Sequence, residues 1–258
     1  LLRGLLYRLG CEPHPPPSIE RLLSEPIQRK EIVSLRTYMK IARAANIPFR
    51  LDETNTVSCG GVAGISDTFA SALWAVGYLP RVMASGAVGV NLHGNPSRCS
   101  GYSPVCAVGP AALSEGELVA QPEWYGLLLV KQLIGTRPLP STVRVTPRGA
   151  NVQAMAFLAA DGSLRVVVVD DDPAGSRSVV VQLRSGPSVA EGSVLSLSGP
   201  SLEALSGVEL GEREVVPDGS WSAAPLPRVR SRAGTISLTL AAGSAAVVRT
   251  APGASTDG

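Results

Sequence analysis

The chain has 258 residues, 45% of them hydrophobic and 4% aromatic, and a formal net charge of +2. That length fills one large domain or two ordinary ones, with ample core. So small a charge, without a basic block, argues against nucleic acid or an anionic membrane surface as the main partner, and no run of about 18 apolar residues marks a membrane span.

Leu1-Leu-Arg-Gly-Leu-Leu6 is too short for the apolar core of a signal peptide, lacks a cleavage pattern and is not preceded by Met. The chain therefore reads as a fragment or a truncated gene product. Pro13-His-Pro-Pro-Pro17 reads as a loop, with His14 exposed in it. Ser18 is a reasonable N-cap for a helical turn. A longer helix follows, with Ile32, Leu35, Met39 and Ala42 at spacings of 3, 4 and 3 on one face. Asn46 fits its C′ position, and Pro48 stops it. A short strand runs from Phe49 and ends at Glu53. Ser66 and Asp67 would cap a second helix over 67–78, with Phe69, Leu73, Trp74 and Val76 in its core. A second strand over 87–92 ends at His93-Gly94. Strand, helix, strand is the unit of parallel α/β folds, in which ligands collect at the C-terminal strand ends. Glu53 and His93 fall there.

Between these elements, Gly60-Gly61 allows close approach to a ligand and supplies bare N–H donors. Cys99 and Cys106 flank a Gly-Tyr-Ser-Pro turn, so a local disulfide is expected if the chain is secreted. Residues 121–134 form a helix that is apolar nearly all round and ends at Gly135. From Arg137 the texture becomes valine- and serine-rich, with turn signals every 8–12 residues. Examples are the runs at 164–169, 179–183, 235–240 and 245–248, which read as an antiparallel β-sandwich. Residues 251–258 read as a disordered tail. Asp170-Asp-Asp172 reads as a turn, since the spaced oxygen pattern of a calcium loop is missing. No Cys or His pair has zinc-site spacing, so no metal and no cofactor are expected.

Arg50-Leu-Asp-Glu53-Thr-Asn-Thr, the Gly60-Gly61 pair and Gly64-Ile-Ser-Asp-Thr-Phe-Ala-Ser-Ala-Leu-Trp74 closely resemble glycoside hydrolase family 79, the family of heparanase-like enzymes and β-glucuronidases. The resemblance runs from about Tyr7 to Val248 and is most specific around Glu53. It implies an α/β plus all-β architecture. Residues 1–136 would be the C-terminal part, about strands six to eight, of a (β/α)8 TIM barrel, and residues 137–250 a β-sandwich domain. Glu53 would be the catalytic nucleophile at the end of strand seven, and the loop at Gly60 and Gly61 would help hold a uronic carboxylate. Tyr7 would lie at the end of strand six, with Leu5 and Leu6 where the family carries two histidines. Asn91-Leu-His93-Gly94 matches the strand-eight ending, placing His93 toward substrate, and Tyr102 matches a tyrosine directed at the site. Asn55 and Arg50 are candidate donors to Glu53, with Asn55 also counted toward substrate. Cys59 stands where many members carry a tyrosine. The implied partner is a carbohydrate, a β-linked uronic acid glycoside of glycosaminoglycan or plant-polysaccharide type. The implied location is secreted, lysosomal or vacuolar.

A retaining glycosidase needs two carboxyl groups about 5–5.5 Å apart, a nucleophile and an acid/base. In the resembling family the acid/base comes from strand four, which would precede Leu1. The chain alone is therefore expected to carry the nucleophile half and to be inactive. Two other readings stay open: a non-catalytic carbohydrate-binding or interaction module derived from such an enzyme, and a cysteine hydrolase using Cys59 with His93.

Overall fold

A computed structural model describes residues 15–141, 150–173, 179–184 and 191–252. The strand-six reading at Tyr7, the loop position of His14 and the tail from residue 253 lie outside them.

Helix α1 (Ile19–Leu22) opens on Ser18, which has extended backbone and accepts from Arg21 N at 3.2 Å. Helix α2 (Glu25–Ala44) buries Gln28, Ile32, Leu35, Met39 and Ala42 along one stripe. It ends in a Schellman arrangement. Asn46 takes a left-handed φ of 52°, Asn46 N donates to Arg43 O, and Ile47 N donates to Ala42 O at 2.8 Å. Pro48 then leads into β1 (Phe49–Thr54).

Helix α3 (Phe69–Ala84) buries thirteen of its 16 residues. It runs six residues beyond the sequence expectation, straight through Pro80. An internal proline forfeits one backbone bond and costs about 3 kcal/mol in a helix. Here burial of Leu79 and Val82 against the core offsets that cost. The cap also differs from expectation. Thr68 is the N-cap residue, while Asp67 accepts from Gly64 N at 2.7 Å and Ser66 Oγ from Val62 N at 3.0 Å, tying up the loop before the helix. Strand β2 (Ala87–Leu92) then lies parallel to β1, with Leu51 opposite Val90 and Thr54 opposite Leu92. This two-stranded parallel sheet does not close into a barrel among the described residues.

Strand β3 (Val105–Cys106), helix α4 (Pro110–Glu115) and strand β4 (Val119–Ala120) form a small excursion, in which β3 pairs with β4. Helix α5 (Pro122–Val130) is shorter than expected and tightens into a 3-10 turn over Lys131–Leu133. It meets α3 at Gly126, where a Cβ would come within 2.9 Å of Ala72 Cα, so only glycine allows the two helices this close.

The remaining strands are β5 (Arg137–Leu139), β6 (Val152–Leu158), β7 (Leu164–Asp170), β8 (Val179–Arg184), β9 (Glu191–Ser198), β10 (Glu209–Leu210), β11 (Arg228–Arg230), β12 (Thr235–Leu240) and β13 (Ser244–Thr250). A sheet in the order β10-β9-β13-β7-β6-β5, with β11 also on β9, is antiparallel throughout. Strands β8 and β12 form a separate antiparallel pair. Both faces of the large sheet are covered. Val167, Val169, Leu195, Leu197, Ala245 and Val247 join the core built by α2, α3 and α5. The alternate residues Val166, Val168, Ala246 and Val248 pack with Leu238 and Leu240 of β12. Strands buried on both faces read as continuous apolar runs, which is why 166–169 is all valine. Each such side chain stabilises the fold by roughly 1.5–3 kcal/mol. Ala251 N still donates to Glu191 O at 3.1 Å, so the sheet bonding continues one residue into the segment expected to be disordered.

A polar seam crosses the helix–sheet contact. Arg81 donates to Gln153 Oε1 (Nε at 2.9 Å), and Gln153 Nε2 donates to Asp171 Oδ2 at 2.8 Å. Arg81 also pairs with Glu25 at 3.1 Å. Burial pushes the Asp171 carboxyl well above the ordinary range, opposed by the Gln153 bond, and raises Asp170 to about 6. Asp170 Oδ1 accepts from Asp172 N at 3.1 Å and Asp172 Oδ2 from Asn151 N at 3.2 Å, and no cluster among the described residues could hold a metal ion. No helix among them is long and apolar enough to cross a membrane.

Candidate functional site

Because β1 and β2 are parallel and in register at Thr54 and Leu92, their C-terminal ends lie level. His93 N donates to Thr54 O at 3.0 Å, one rung past the strand. This fixes the next pair: His93 Nδ1 hydrogen-bonds Glu53 Oε1. The side chains are 47% and 28% exposed, so both stay open to solvent. The His93 ring packs edge-on against Tyr102 with centroids 5.4 Å apart, and Tyr102 itself is buried.

A cleft of about 430 Å³ opens here, walled by Cys59, Gly60, His93, Arg98, Ser100 and Tyr102 among others. Glu53 reaches its wall through the bond to His93. No carboxylate stands among the described residues that line it.

The glycine pair divides its work. Gly60, at φ 96°, has nothing within 4 Å of its Cβ position and faces the cleft. Its carbonyl accepts from Tyr102 N at 3.4 Å. Gly61, at φ 79°, lies against the Tyr102 backbone, and a Cβ there would stand 2.5 Å from Tyr102 N. Gly60 is therefore the cleft-facing member, and Gly61 the one that lets two loops touch. The loop after β2 is closed by a disulfide between Cys99 and Cys106, with Cα atoms 5.1 Å apart. Cys59 is disulfide-bonded too. A disulfide sulfur offers no thiolate nucleophile, which overturns the cysteine-hydrolase reading.

Two donors expected beside Glu53 are engaged elsewhere. Arg50 bonds Asn91, with Nε to Oδ1 at 3.1 Å. The Asn55 carboxamide donates to His93 O at 2.7 Å and Tyr102 O at 3.4 Å, while its Oδ1 accepts from Thr56 N at 2.6 Å. Asn55 thus braces the carbonyls of His93 and Tyr102, and it is His93 that bonds Glu53, where sequence reasoning had put Arg50 and Asn55. Tyr7 lies outside the described residues.

Sequence reasoning missed Glu123. It sits in the first turn of α5, an ordinary place for a solvated acid, yet it is 1% exposed. Burial raises its carboxyl to about 8, against the lowering effect of the hydrogen bond from Asn55 Nδ2 at 3.4 Å. Its Oε1 has no hydrogen-bond partner.

No protein-family model matches the sequence, and no curated protein matches it. Solved structures do. A 4-O-α-L-rhamnosyl-β-D-glucuronidase from Fusarium oxysporum 12S superposes at TM-score 0.72 and 20% identity over 90% of this chain and 50% of that one. A GH51 arabinofuranosidase from Xanthomonas axonopodis pv. citri gives 0.60 and 15%, over 90% of this chain and 46% of its own. A GH51 α-L-arabinofuranosidase from Thermotoga petrophila RKU-1 gives 0.60 and 15%, over 87% and 48%. The chain has a glycoside-hydrolase-like fold and spans about half the length of these enzymes.

Proposed function

We propose that this chain is the nucleophile-bearing C-terminal part of a retaining, uronic-acid-directed glycoside hydrolase of the β-glucuronidase type. Residues 1–136 supply the last βα units of a (β/α)8 barrel, and residues 137–250 a β-sandwich packed on it. The observation that carries this reading is the Glu53–His93 pair, set at the level C-terminal ends of two parallel strands beside an open cleft. The likeness of fold to a glucuronidase supports it. Glu53 attacks the anomeric carbon as the glycosidic C–O bond breaks and the leaving oxygen takes a proton from the acid/base carboxyl group. His93, carrying its proton on Nδ1, donates to the carboxylate, and a donated hydrogen bond favours the ionised form that a nucleophile needs. The acid/base carboxyl group comes from barrel strands outside this chain, so the chain alone is inactive. Its partner is a β-linked uronic acid glycoside, in a secreted or lysosomal setting.

A mechanism-based glycosyl trap should label Glu53 in a longer protein that also holds the acid/base strand, and Glu53→Gln should abolish the label. Labelling elsewhere, or glycoside turnover by the 258-residue chain alone, would refute the assignment. A second reading, a non-catalytic carbohydrate-binding module, is favoured by the lack of a carboxylate among the described cleft-lining residues. It requires sugar binding without any label on Glu53.

A further inference from the structure

The cleft wall holds a cation that the proposed chemistry does not use. Arg98 stands in the loop after β2, in the same wall as His93, Ser100 and Tyr102. Its backbone is held by its neighbours. Arg98 N donates to Asn95 O at 3.1 Å, and Asn95 Oδ1 accepts from Ser97 N at 3.1 Å and Ser97 Oγ at 2.7 Å. Asn95 N donates to Ser103 Oγ at 2.8 Å. The residue after Arg98 is Cys99, cross-linked to Cys106, and Ala107 N closes back on Pro96 O at 2.7 Å. A turn tied at both ends and cross-linked loses little freedom when a ligand arrives, which is the condition for efficient recognition.

The guanidinium is placed with equal economy. Its Nε donates to Ser100 Oγ at 3.2 Å, which leaves the Nη1–Nη2 edge for another acceptor. None of the ion pairs among the described residues involves Arg98. A guanidinium edge presents two parallel N–H groups that match the two oxygens of a carboxylate.

We infer that Arg98 determines sugar specificity: its Nη1–Nη2 edge binds the carboxylate of a uronic acid seated in this cleft and sets the preference over the neutral sugar. This rests on the acidic-sugar reading above and assigns that recognition to a residue outside the Gly60 loop. Because Arg98 is exposed, the preference is sensitive to screening by salt.

NMR titration of the 258-residue chain with methyl β-D-glucuronide and methyl β-D-glucoside tests it. The wild-type chain should bind the glucuronide about tenfold more tightly than the glucoside, and the gap should shrink as salt is raised. Arg98→Gln should bring the two sugars level by weakening the glucuronide alone. Arg98→Lys should keep part of the preference, since a point charge lacks the fork. Unchanged glucoside affinity and melting temperature show that the variants are folded. A tenfold preference that survives in Arg98→Gln overturns the role of Arg98 and leaves the acidic-sugar reading standing. A wild-type chain that favours the glucoside, binds both equally or binds neither overturns that reading and this inference together.

Discussion

Asn55 Nδ2 lies 3.4 Å from Glu123 Oε2, joining the segment just after β1 to the first turn of α5. The same amide nitrogen donates to the carbonyl of His93 and reaches that of Tyr102. One side chain therefore connects the C-terminal strand ends to a buried acid. With its carboxyl raised to about 8, Glu123 is mainly neutral at pH 7. A neutral acid is the form that burial without a counter-cation tolerates.

Between the ordinary value of 4.5 and about 8, Glu123 is protonated in the folded chain and ionised in the unfolded one. The folded state then binds more protons, so stability falls as pH rises through that window and levels off above it. Asp170 and Asp171, also raised by burial, act in the same direction, so the contribution of Glu123 has to be read as a difference. Thermal melts of Glu123→Gln and wild type should lie closest at pH 4.5 and separate in favour of the glutamine variant up to pH 8. Parallel curves would mean that Glu123 titrates as it does in water.

Gly61 and Gly60 should respond differently to alanine. At Gly61 a Cβ meets Tyr102 N at 2.5 Å and Ser66 Cβ at 2.9 Å, on a backbone with φ of 79°. Left-handed strain of about 1–2 kcal/mol then adds to an overpacking cost of about 1–3 kcal/mol. At Gly60 the space is open, and only the strain of φ 96° applies. Urea unfolding should place Gly61→Ala below Gly60→Ala by at least about 1 kcal/mol.

Much of the local chemistry was readable in the sequence, although the cap of α3 fell on Thr68 and not on Ser66 and Asp67. The spacing of Ile32, Leu35, Met39 and Ala42 marks the buried stripe of α2, and Asn46-Ile-Pro marks its end, because a helix face and a C-cap are set within one or two turns of chain. The run of α3 through Pro80 was not readable, since its compensation comes from burial against elements distant in sequence. Glu123 escaped for the same reason: nothing beside Pro122 and Trp124 says that the first turn of α5 is buried. The bonds Asn55 makes were not readable, because an Asn next to a strand-end carboxylate is equally suited to face solvent or to brace neighbouring carbonyls. Only the fold, by bringing His93 O and Tyr102 O within reach, decides between them.

The cross-link at Cys99 and Cys106 closes a separation of only 7 residues. Loop-closure entropy for so short a loop corresponds to about 2–3 kcal/mol. Replacing both cysteines by serine should lower the unfolding free energy by that order and blunt the glucuronide preference, while the Glu53–His93 pair persists, since β1 and β2 place it. A loss below about 0.5 kcal/mol in denaturant titrations would mean that the hydrogen bonds of Asn95 and Ala107 hold the loop unaided.

His93 is the hydrogen-bond partner of Glu53. Both side chains are partly open to solvent, so their pairing adds little to stability. On the nucleophile reading proposed above, its value lies in aiming the carboxylate. In a longer protein that carries the acid/base strand, His93→Ala should leave the melting temperature almost unchanged and lower kcat by about 10²–10³, the range for losing one positioned donor at a reacting oxygen. KM should move little, because the donor acts on the nucleophile and not on the bound sugar. His93→Gln, whose amide can still donate, should recover part of the loss. Glu53→Gln should remove both turnover and covalent labelling. If His93→Ala slowed turnover only through a raised KM, His93 would belong to sugar binding, and Glu53 would depend on other donors.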